Sequence, residues 1–376
     1  MKDLLELRNE IDGIDSQIVE LYEERMKISE EVAKYKIQSG KKVFDKEREC
    51  EKLAMLSKKA HSKFTEHGIV ELFEQIMSMS RKKQYQLLSE HGIVEKPDFE
   101  EIENLNFKKA RIVFQGVAGA YSQQAMKKYF GDDCDGYQVE TWKDAMEDIK
   151  NGKADFAVLP IENSSAGIVS ENYDLLAQYD NYIVAEQILK IDHALLARKD
   201  AKLSDIQTVY SHPQALMQCS DFFDSHRECE KISVKNPAYA AKLVKEENDI
   251  TKAAIASAVT AEIYGLQVME NGIQNDKNNS TRFIIVSGKK VTTRNANRIS
   301  ICFEIPHESG SLYHMLSHFI YNDINLVNIQ SRPIRDRNWE YRFFVDFEGK
   351  FTDTAVLNAL RGLSEETLSM KILGTY

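Results

Sequence analysis

Proline is nearly missing from this chain of 376 residues: there are six, and none lies before Pro97. Residues 1–90 hold only Gly13, Gly40 and Gly68, so little in that stretch can break a helix. Cysteine is scarce too. Cys50, Cys134, Cys219, Cys229 and Cys302 are scattered and odd in number, without a C-x-x-C pair. That argues against a disulfide framework or a zinc module, and fits reduced thiols in a cytoplasmic protein. Positive charge is in deficit, 49 Lys and Arg against 59 Asp and Glu, for a net −10. Such a surface offers no electrostatic footprint for nucleic acid or for an anionic membrane. No apolar run approaches the ~20 residues of a membrane span, and no targeting segment opens the sequence. An anionic ligand must therefore be drawn in by local clusters of Arg and Lys, against the overall field.

What is present divides the chain into parts. Its length exceeds one compact core, and 43% hydrophobic with 29% charged residues is ordinary for globular protein. In residues 1–90, Leu4, Leu7, Ile11, Ile14, Ile18, Leu21, Ile28, Val32 and Tyr35 follow steps of three and four. This is the seam of one long helix, from about Lys2 to Gln38, with shorter helices expected over Asp45–Ser62 and Thr65–Leu88. A stripe of ~55 Å is more than a small domain can cover, so an intertwined helical dimer is expected. Residues 91–109 read as an acidic linker (Glu95, Asp98, Glu100, Glu101, Glu103). Residues 110–290 alternate short β-branched runs with helical stretches and read as α/β. Residues 298–376 read as strand, helix, strand, strand, helix, strand, the ferredoxin-like order. The expected fold is multidomain: all-α, then two-lobed α/β, then α+β.

One seam position is anomalous. Arg25 falls where Ile18 and Val32 predict an aliphatic residue, and Arg8 lies beside Leu7. A buried guanidinium without an anion is costly. Either a protein carboxylate such as Glu24 or Glu47 pairs with Arg25, or a ligand brings the charge. Lys36 lies further along the same helix, Asp45, Arg48 and Glu49 open the next, and Ser80 and Gln84 share a face of the third. These cations with carboxylates, a hydroxyl and an amide suggest a small polyanion that carries a hydroxyl. Leu4-Leu5-x-Leu7-Arg8, Glu24-Arg25, Lys34-x-Lys36, Asp45-x-x-Arg48-Glu49 and Ser80-x-x-x-Gln84 together resemble the all-helical chorismate mutases. The resemblance implies that Arg8 (from a partner subunit), Arg25 and Arg48 hold two carboxylates. Lys36 and Gln84 would contact the ether oxygen, while Asp45, Glu49 and Ser80 position substrate.

Four polar stretches mark the α/β part. Gln115-Gly116-Val117-Ala118-Gly119-Ala120-Tyr121-Ser122 is a glycine loop between strand and helix, suited to an anion but common in α/β turns. Pro160-Ile161-Glu162-Asn163-Ser164-Ser165-Ala166-Gly167 follows an apolar strand, and reads equally as a turn or a site. Tyr210-Ser211-His212-Pro213-Gln214 runs a strand into a helix; a lone His before Pro more often sets a turn than acts as a base. Asn278-Asn279-Ser280-Thr281-Arg282-Phe283 enters another strand. Pro-Ile-Glu-Asn-Ser, Tyr-Ser-His-Pro-Gln and Thr-Arg-Phe, in that order, resemble prephenate dehydratase. The resemblance implies two lobes like a type 2 periplasmic binding protein, with Thr281 as the key catalytic residue. Arg282 and Phe283 would shape the site, and Glu162, Asn163, Ser164 and Gln214 would contact substrate. Val117-Ala118 departs from the Gly-Pro-x-Gly form of the glycine loop.

The last part resembles an ACT regulatory domain. Gly310-Ser311-Leu312-Tyr313 stands where that family has Gly-Ala-Leu-Val, and Gln330-Ser331-Arg332-Pro333 where it has Glu-Ser-Arg-Pro. The resemblance implies an L-phenylalanine site on these residues, with Gln330 lacking the charge of Glu and Tyr313 larger than Val. The alternative is a ferredoxin-like unit used only for dimerisation. As a whole, the chain resembles the bifunctional chorismate mutase/prephenate dehydratases. Chorismate and prephenate are then the substrates, phenylalanine the effector, and neither metal nor cofactor is required.

Overall fold

A computed structural model describes residues 2–93, 96–335 and 337–376. Glu95, counted above in the acidic linker, lies outside the described residues.

Three helices open the chain: α1 (Leu4–Ser39), α2 (Lys46–Ser57) and α3 (Lys63–Glu90). Asp3 caps α1 by accepting from the Glu6 N–H, and Gly40 ends it at φ +65°, in the left-handed region glycine tolerates. Only Ser29 and Ala33 of α1 are buried. Its aliphatic stripe, from Leu4 through Ile18 to Tyr35, stays 39–66% exposed. Within the chain, the polar contacts of α1 with α3 include Arg25, Ser29 and Glu30 in its second half, and Ile37 packs against the cluster that holds Tyr85 and Leu88.

The expected linker holds one short strand, β1 (Glu100–Ile102), lying parallel to residues 291–293. The first lobe of the central unit follows: β2 (Arg111–Gln115), α4 (Tyr121–Phe130), β3 (Asp135–Val139), α5 (Trp142–Lys150), β4 (Phe156–Asn163), β5 (Gly167–Ile168), α6 (Ser170–Gln178) and β6 (Tyr182–Lys190). The second lobe comprises β7 (Ala194–Ala197), β8 (Thr208–Ser211), α7 (Pro213–Gln218), α8 (Ser220–Ser225), β9 (Glu230–Ser233), α9 (Pro237–Glu247), β10 (Lys252–Ala256), α10 (Ala258–Tyr264) and β11 (Gln267–Asn271). The chain then returns to the first lobe through β12 (Ser280–Ser287) and β13 (Val291–Thr293). It crosses between lobes twice, as β6 leads to β7 and β11 to β12. The second lobe is a five-stranded sheet ordered β11-β7-β10-β8-β9.

The C-terminal unit is β14 (Arg298–Glu304), α11 (Ser311–Tyr321), β15 (Leu326–Pro333), β16 (Tyr341–Glu348), α12 (Thr354–Glu366) and β17 (Ser369–Thr375). Its strands lie in the order β15-β16-β14-β17, as in a ferredoxin-like unit, and continue into the first lobe across β6. The junction is one residue pair, Gly374 opposite Ile183. Gly374 is at φ +156°, and a Cβ there would lie 2.0 Å from the Ile183 carbonyl oxygen, so any side chain would push the sheets apart.

The strands the sequence hides are explicable. β3 and β9 are edge strands reading Asp-Gly-Tyr-Gln-Val and Glu-Lys-Ile-Ser, without an apolar run. β7 is Ala-Leu-Leu-Ala, helix formers held in a sheet by burial on both faces. In β4, Pro160 has no N–H to give, and the register against β12 slips there. The slip decides chemistry: it sets Asn163, rather than Glu162, opposite Thr281.

Candidate active sites

In the helical unit, α1 and α3 bring Arg25, Ser29, Ser80 and Gln84 together. Arg25 finds neither Glu24 nor Glu47: its Nη1 donates to the Ser80 hydroxyl and approaches the Ile76 carbonyl at 3.5 Å. Burial lowers its pKa, opposed by the more distant Glu49 and Tyr22. Gln84 Nε2 donates to Ser29 Oγ at 3.3 Å, while its Oε1 is buried without a partner. Lys36 donates to the Val43 carbonyl at 2.6 Å. Burial lowers its pKa, Arg81 adds to the effect, and Asp45, Glu49 and Glu365 oppose it. Arg25 thus pairs with no carboxylate among the described residues, and Gln84 keeps a buried acceptor unpaired.

Other expected residues lie differently. Arg8 and Arg48 are exposed, and Asp45 is the N-cap of α2, accepting from the Arg48 N–H at 3.1 Å. Glu49 is held through its Oε2 by Arg81, a buried residue of α3 absent from the expected set. Its only sequence signal was a cation directly after Ser80 on the helix face that carries Gln84.

Between the two lobes of the central unit lies a cleft of about 890 Å³, lined among others by Thr281, Asn163, Ser165, Gln214, Gln218 and His193. Asn163 organises it. Its Oδ1 accepts from the backbone N–H groups of Ser165 (3.1 Å) and Ala166 (3.0 Å), which fixes the amide orientation. Its Nδ2 therefore faces Thr281 Oγ1 at 2.9 Å as donor. The Thr281 oxygen accepts from Asn163, leaving its own proton to be donated elsewhere. Beside it, Asn279 accepts from Asn163 Nδ2 at 2.8 Å and keeps a buried Nδ2 without a partner.

The same network runs outward. Gln218 Nε2 donates to Asn163 Oδ1 at 3.2 Å and to Ser165 Oγ at 2.6 Å. Its Oε1 is 3.0 Å from His193 Nε2, and His193 Nδ1 is 3.0 Å from the Tyr121 hydroxyl. Burial depresses the His193 pKa, so the ring is neutral. The Tyr121 hydroxyl also donates to the Asp192 carbonyl at 2.9 Å, so its one proton is shared between that oxygen and Nδ1, while Nε2–H donates to Gln218. None of Tyr121, Gln218, His193 or Ser165 had been singled out as a contact. Gln218 was one helical turn beyond Gln214; the lone His193 carried no local signal.

Glu162 and Arg282 are corrections to the expected cleft. They sit opposite one another on β4 and β12, one residue out of phase with Thr281 and Asn163, and so on the other sheet face. Arg282 Nη2 donates to Asp346 at 3.0 Å and Nη1 approaches the Tyr376 hydroxyl at 3.3 Å, with Glu162 and Glu186 each 3.5 Å away. Burial disfavours its charge, but Tyr376, Asp346 and Tyr173 more than offset that and raise its pKa. It therefore clamps the C-terminal unit to the back of the Thr281 strand. Phe283 does line the cleft. Ser164 binds the Ser280 backbone instead, and Ser165 takes the inward position. His212 caps α7, accepting from Gln214 N–H at 3.3 Å, as a turn-setting His should. The glycine loop is already occupied: Gly119 N–H donates to Gln123 at 2.7 Å, and Thr260 and Tyr264 of the opposite lobe donate to Gly119 and Ala118 carbonyls.

In the C-terminal unit, Gly310 caps α11 at φ +84°, followed by Ser311 and Leu312. Gln330, Ser331, Arg332 and Pro333 lie on β15, whose end shares the side of the sheet where α11 begins. Gln330 donates to Asn328 at 3.1 Å, and Arg332 forms a two-point pair with Asp174 of α6. No helix among the described residues is long and apolar enough to cross a membrane.

Two family models match in tandem: chorismate mutase type II over residues 7–85 and prephenate dehydratase over residues 112–291. A bifunctional chorismate mutase/prephenate dehydratase of Buchnera aphidicola is 33% identical, over 99% of this chain and 96% of its own length. Another, from Aquifex aeolicus, is 30% identical over 100% of this chain and 98% of its own. Among solved structures, a prephenate dehydratase of Arthrobacter aurescens in complex with L-Phe superposes with a TM-score of 0.67 at 29% identity. The match covers 71% of this chain and 89% of that one.

Proposed function

The chain belongs to the bifunctional chorismate mutase/prephenate dehydratases and acts on chorismate and prephenate, and from that premise we propose which of its residues carry each step. Arg25, Lys36, Ser80 and Gln84 bind chorismate in the helical pocket, Glu49 holds its hydroxyl, and Asp45 supports α2. Arg48 and the Arg8 of a second copy close over the carboxylates. Rearrangement to prephenate is intramolecular and needs no nucleophile or proton transfer. The pocket has only to hold a compact conformer and to set donors against the charge that grows on the ether oxygen. Lys36 is such a donor, and Gln84 becomes one when its amide turns from Ser29 toward the ligand. The exposed α1 stripe supports an intertwined dimer, in which a second long helix covers the seam.

In the cleft, prephenate loses its ring carboxylate as carbon dioxide and its ring hydroxyl as hydroxide, and the electron pair left by decarboxylation aromatises the ring to phenylpyruvate. Departure of hydroxide is the difficult event, and it requires a hydrogen bond to the leaving oxygen. Thr281 supplies it. The observation that carries this assignment is the fixed Asn163 amide, which donates to Oγ1 and so commits the threonine proton to the cleft. Gln214 and Ser165 complete the lining, and Phe283 forms its apolar wall. No step calls on a cofactor.

Residues 298–376 are assigned as an ACT domain that binds L-phenylalanine at Gly310–Leu312 and Gln330–Pro333 and inhibits the enzyme. The phenylalanine complex of the Arthrobacter aurescens relative supports this reading. The unit boundaries 1–90, 110–290 and 298–376 and a cytoplasmic location belong to the same proposal. The deciding experiment supplies purified full-length protein with chorismate and follows phenylpyruvate, with and without phenylalanine. Wild type should form phenylpyruvate, Thr281→Val should stop at prephenate, and phenylalanine should slow the wild-type reaction. Phenylpyruvate from Thr281→Val at the wild-type rate would remove the role given to Thr281.

A further inference from the structure

Arg81 is a buried cation between two units. It follows Ser80 on α3, with its side chain only 9% exposed. One end of the guanidinium (Nη1) donates to Glu49 of α2, and the other (Nη2) donates to Glu366, the last residue of α12, at 2.7 Å. Its plane lies over the Phe44 ring at 5.0 Å. Glu366 is also 3.3 Å from His318 Nε2 of α11, and its neighbour Glu365 accepts from the Tyr85 hydroxyl of α3. Burial pushes the Glu366 carboxyl up, but His318 and Arg81 more than offset this, so it stays ionised. Beside this knot is a cavity of about 180 Å³, lined by Glu49, Arg81, Tyr313, His314 and Glu366, so the joint is not packed shut. Gln75 of α3 also donates to the Tyr313 hydroxyl at 3.1 Å, within the motif assigned to phenylalanine.

A carboxylate that is to accept a substrate hydroxyl must be held, because a free glutamate loses rotamer entropy on binding. Arg81 holds one oxygen of Glu49, Oε2, and leaves the other available. Among the described residues, Arg81 is itself held at its far end only by Glu366, a residue of the C-terminal unit. A guanidinium suits this task because its fork engages two carboxylates at fixed geometry.

We propose that Arg81 is a positioning residue of the chorismate mutase site, and that the C-terminal unit completes that site by anchoring Arg81 through Glu366. This rests on Glu49 being a substrate contact. The C-terminal unit therefore acts on both activities by separate routes: on the mutase through Glu366 and Arg81, and on the dehydratase through the Arg282 clamp.

The test uses full-length protein and assays chorismate and prephenate turnover separately. Arg81→Met should raise the KM for chorismate about tenfold, the effect of losing one charge-assisted contact, with kcat within about twofold. Prephenate kinetics should not change. Arg81→Lys, which can reach one carboxylate at a time, should fall between. Glu366→Gln keeps the shape of the joint and should raise chorismate KM about threefold. The Arg81→Met, Glu366→Gln double variant should be no worse than Arg81→Met, because both act through one chain of contacts. Should Arg81→Met fold poorly, Glu366→Gln carries the decision alone. An unchanged chorismate KM in the folded variants, or an equal fall in prephenate turnover, overturns the proposal. Glu49→Gln separates the two levels. If it raises KM while Arg81 variants do not, the bridge falls and the site stands. If it leaves KM unchanged, the site assignment fails and takes the bridge with it.

Discussion

In the dehydratase cleft the polar groups around Thr281 are tied to one another, through a network running Tyr121–His193–Gln218–Asn163. In the mutase pocket, by contrast, Gln84 Oε1 is unpartnered, Arg8 and Arg48 are exposed, and α1 leaves its aliphatic stripe uncovered. The first site is linked up within the chain; the second, on the dimer and the Arg81 bridge proposed above, is completed by a second helix and by contact with α12. The long α1 helix buries little against its own chain, which is what the dimer proposed above accounts for.

The largest effects should separate the sites cleanly. Thr281→Val should cut prephenate turnover at least about a hundredfold, as removal of a single transition-state donor does, with chorismate turnover unchanged. Thr281→Ser should keep much of the rate. Next comes mixing. Arg8→Ala and Arg25→Ala chains should each have little mutase activity, yet a mixture refolded together should regain some, because one pocket in each mixed dimer receives neither change. Mixing either chain with Thr281→Val should restore nothing to the dehydratase of the Thr281→Val chain. Failure of the first mixture to recover would show that Arg8 and Arg25 serve one pocket from one chain.

A smaller effect concerns pH. Burial, aided by Arg81, lowers the Lys36 pKa below its ordinary 10.5, so the ammonium is lost earlier on the alkaline side. The mutase rate should therefore decline below that value, and Lys36→Arg, if active, should move the decline upward. Prephenate turnover should show no limb that responds to this substitution. A mutase limb that ignores Lys36→Arg would place the essential cation elsewhere.

The sequence made the helical period, the Arg25 anomaly and the Thr-Arg-Phe strand legible, because each is a local pattern with a chemical consequence. The βαββαβ order at the C-terminus was readable for the same reason: its strands are apolar on one face and its helices repeat apolar residues at helical spacing. What sequence could not show was parity across a bulge. Pro160 shifts β4 by one residue, and that shift brings Asn163 to Thr281 while turning Glu162 and Arg282 to the back of the sheet. Arg81 was hidden differently, since its meaning depends on Glu366, which lies 285 residues away. Residues that act through distant partners leave no period to detect.

The smallest expected effect tests whether the central unit's self-sufficiency has an acid cost. His193 is almost wholly buried, and burial lowers its pKa from 6.5. An unfolded chain then binds a proton near pH 6.5 that the folded chain refuses until lower pH, so stability rises with pH across that window. Read downward, the contribution of neutral His193 is present above about 6.5 and is lost progressively as pH falls toward the folded value. The limiting slope is about 1.4 kcal/mol per pH unit for one proton. His193→Gln keeps an acceptor for Tyr121 and a donor for Gln218 without a titrating group. Denaturant unfolding of the central unit, followed at pH 7.5, 6.5 and 5.5 as about three evenly spaced points spanning that window, should show a flatter pH response in the variant. An identical slope in wild type and variant would mean that His193 is already free to protonate in the folded cleft, and that Gln218 and Asn163 are oriented without it.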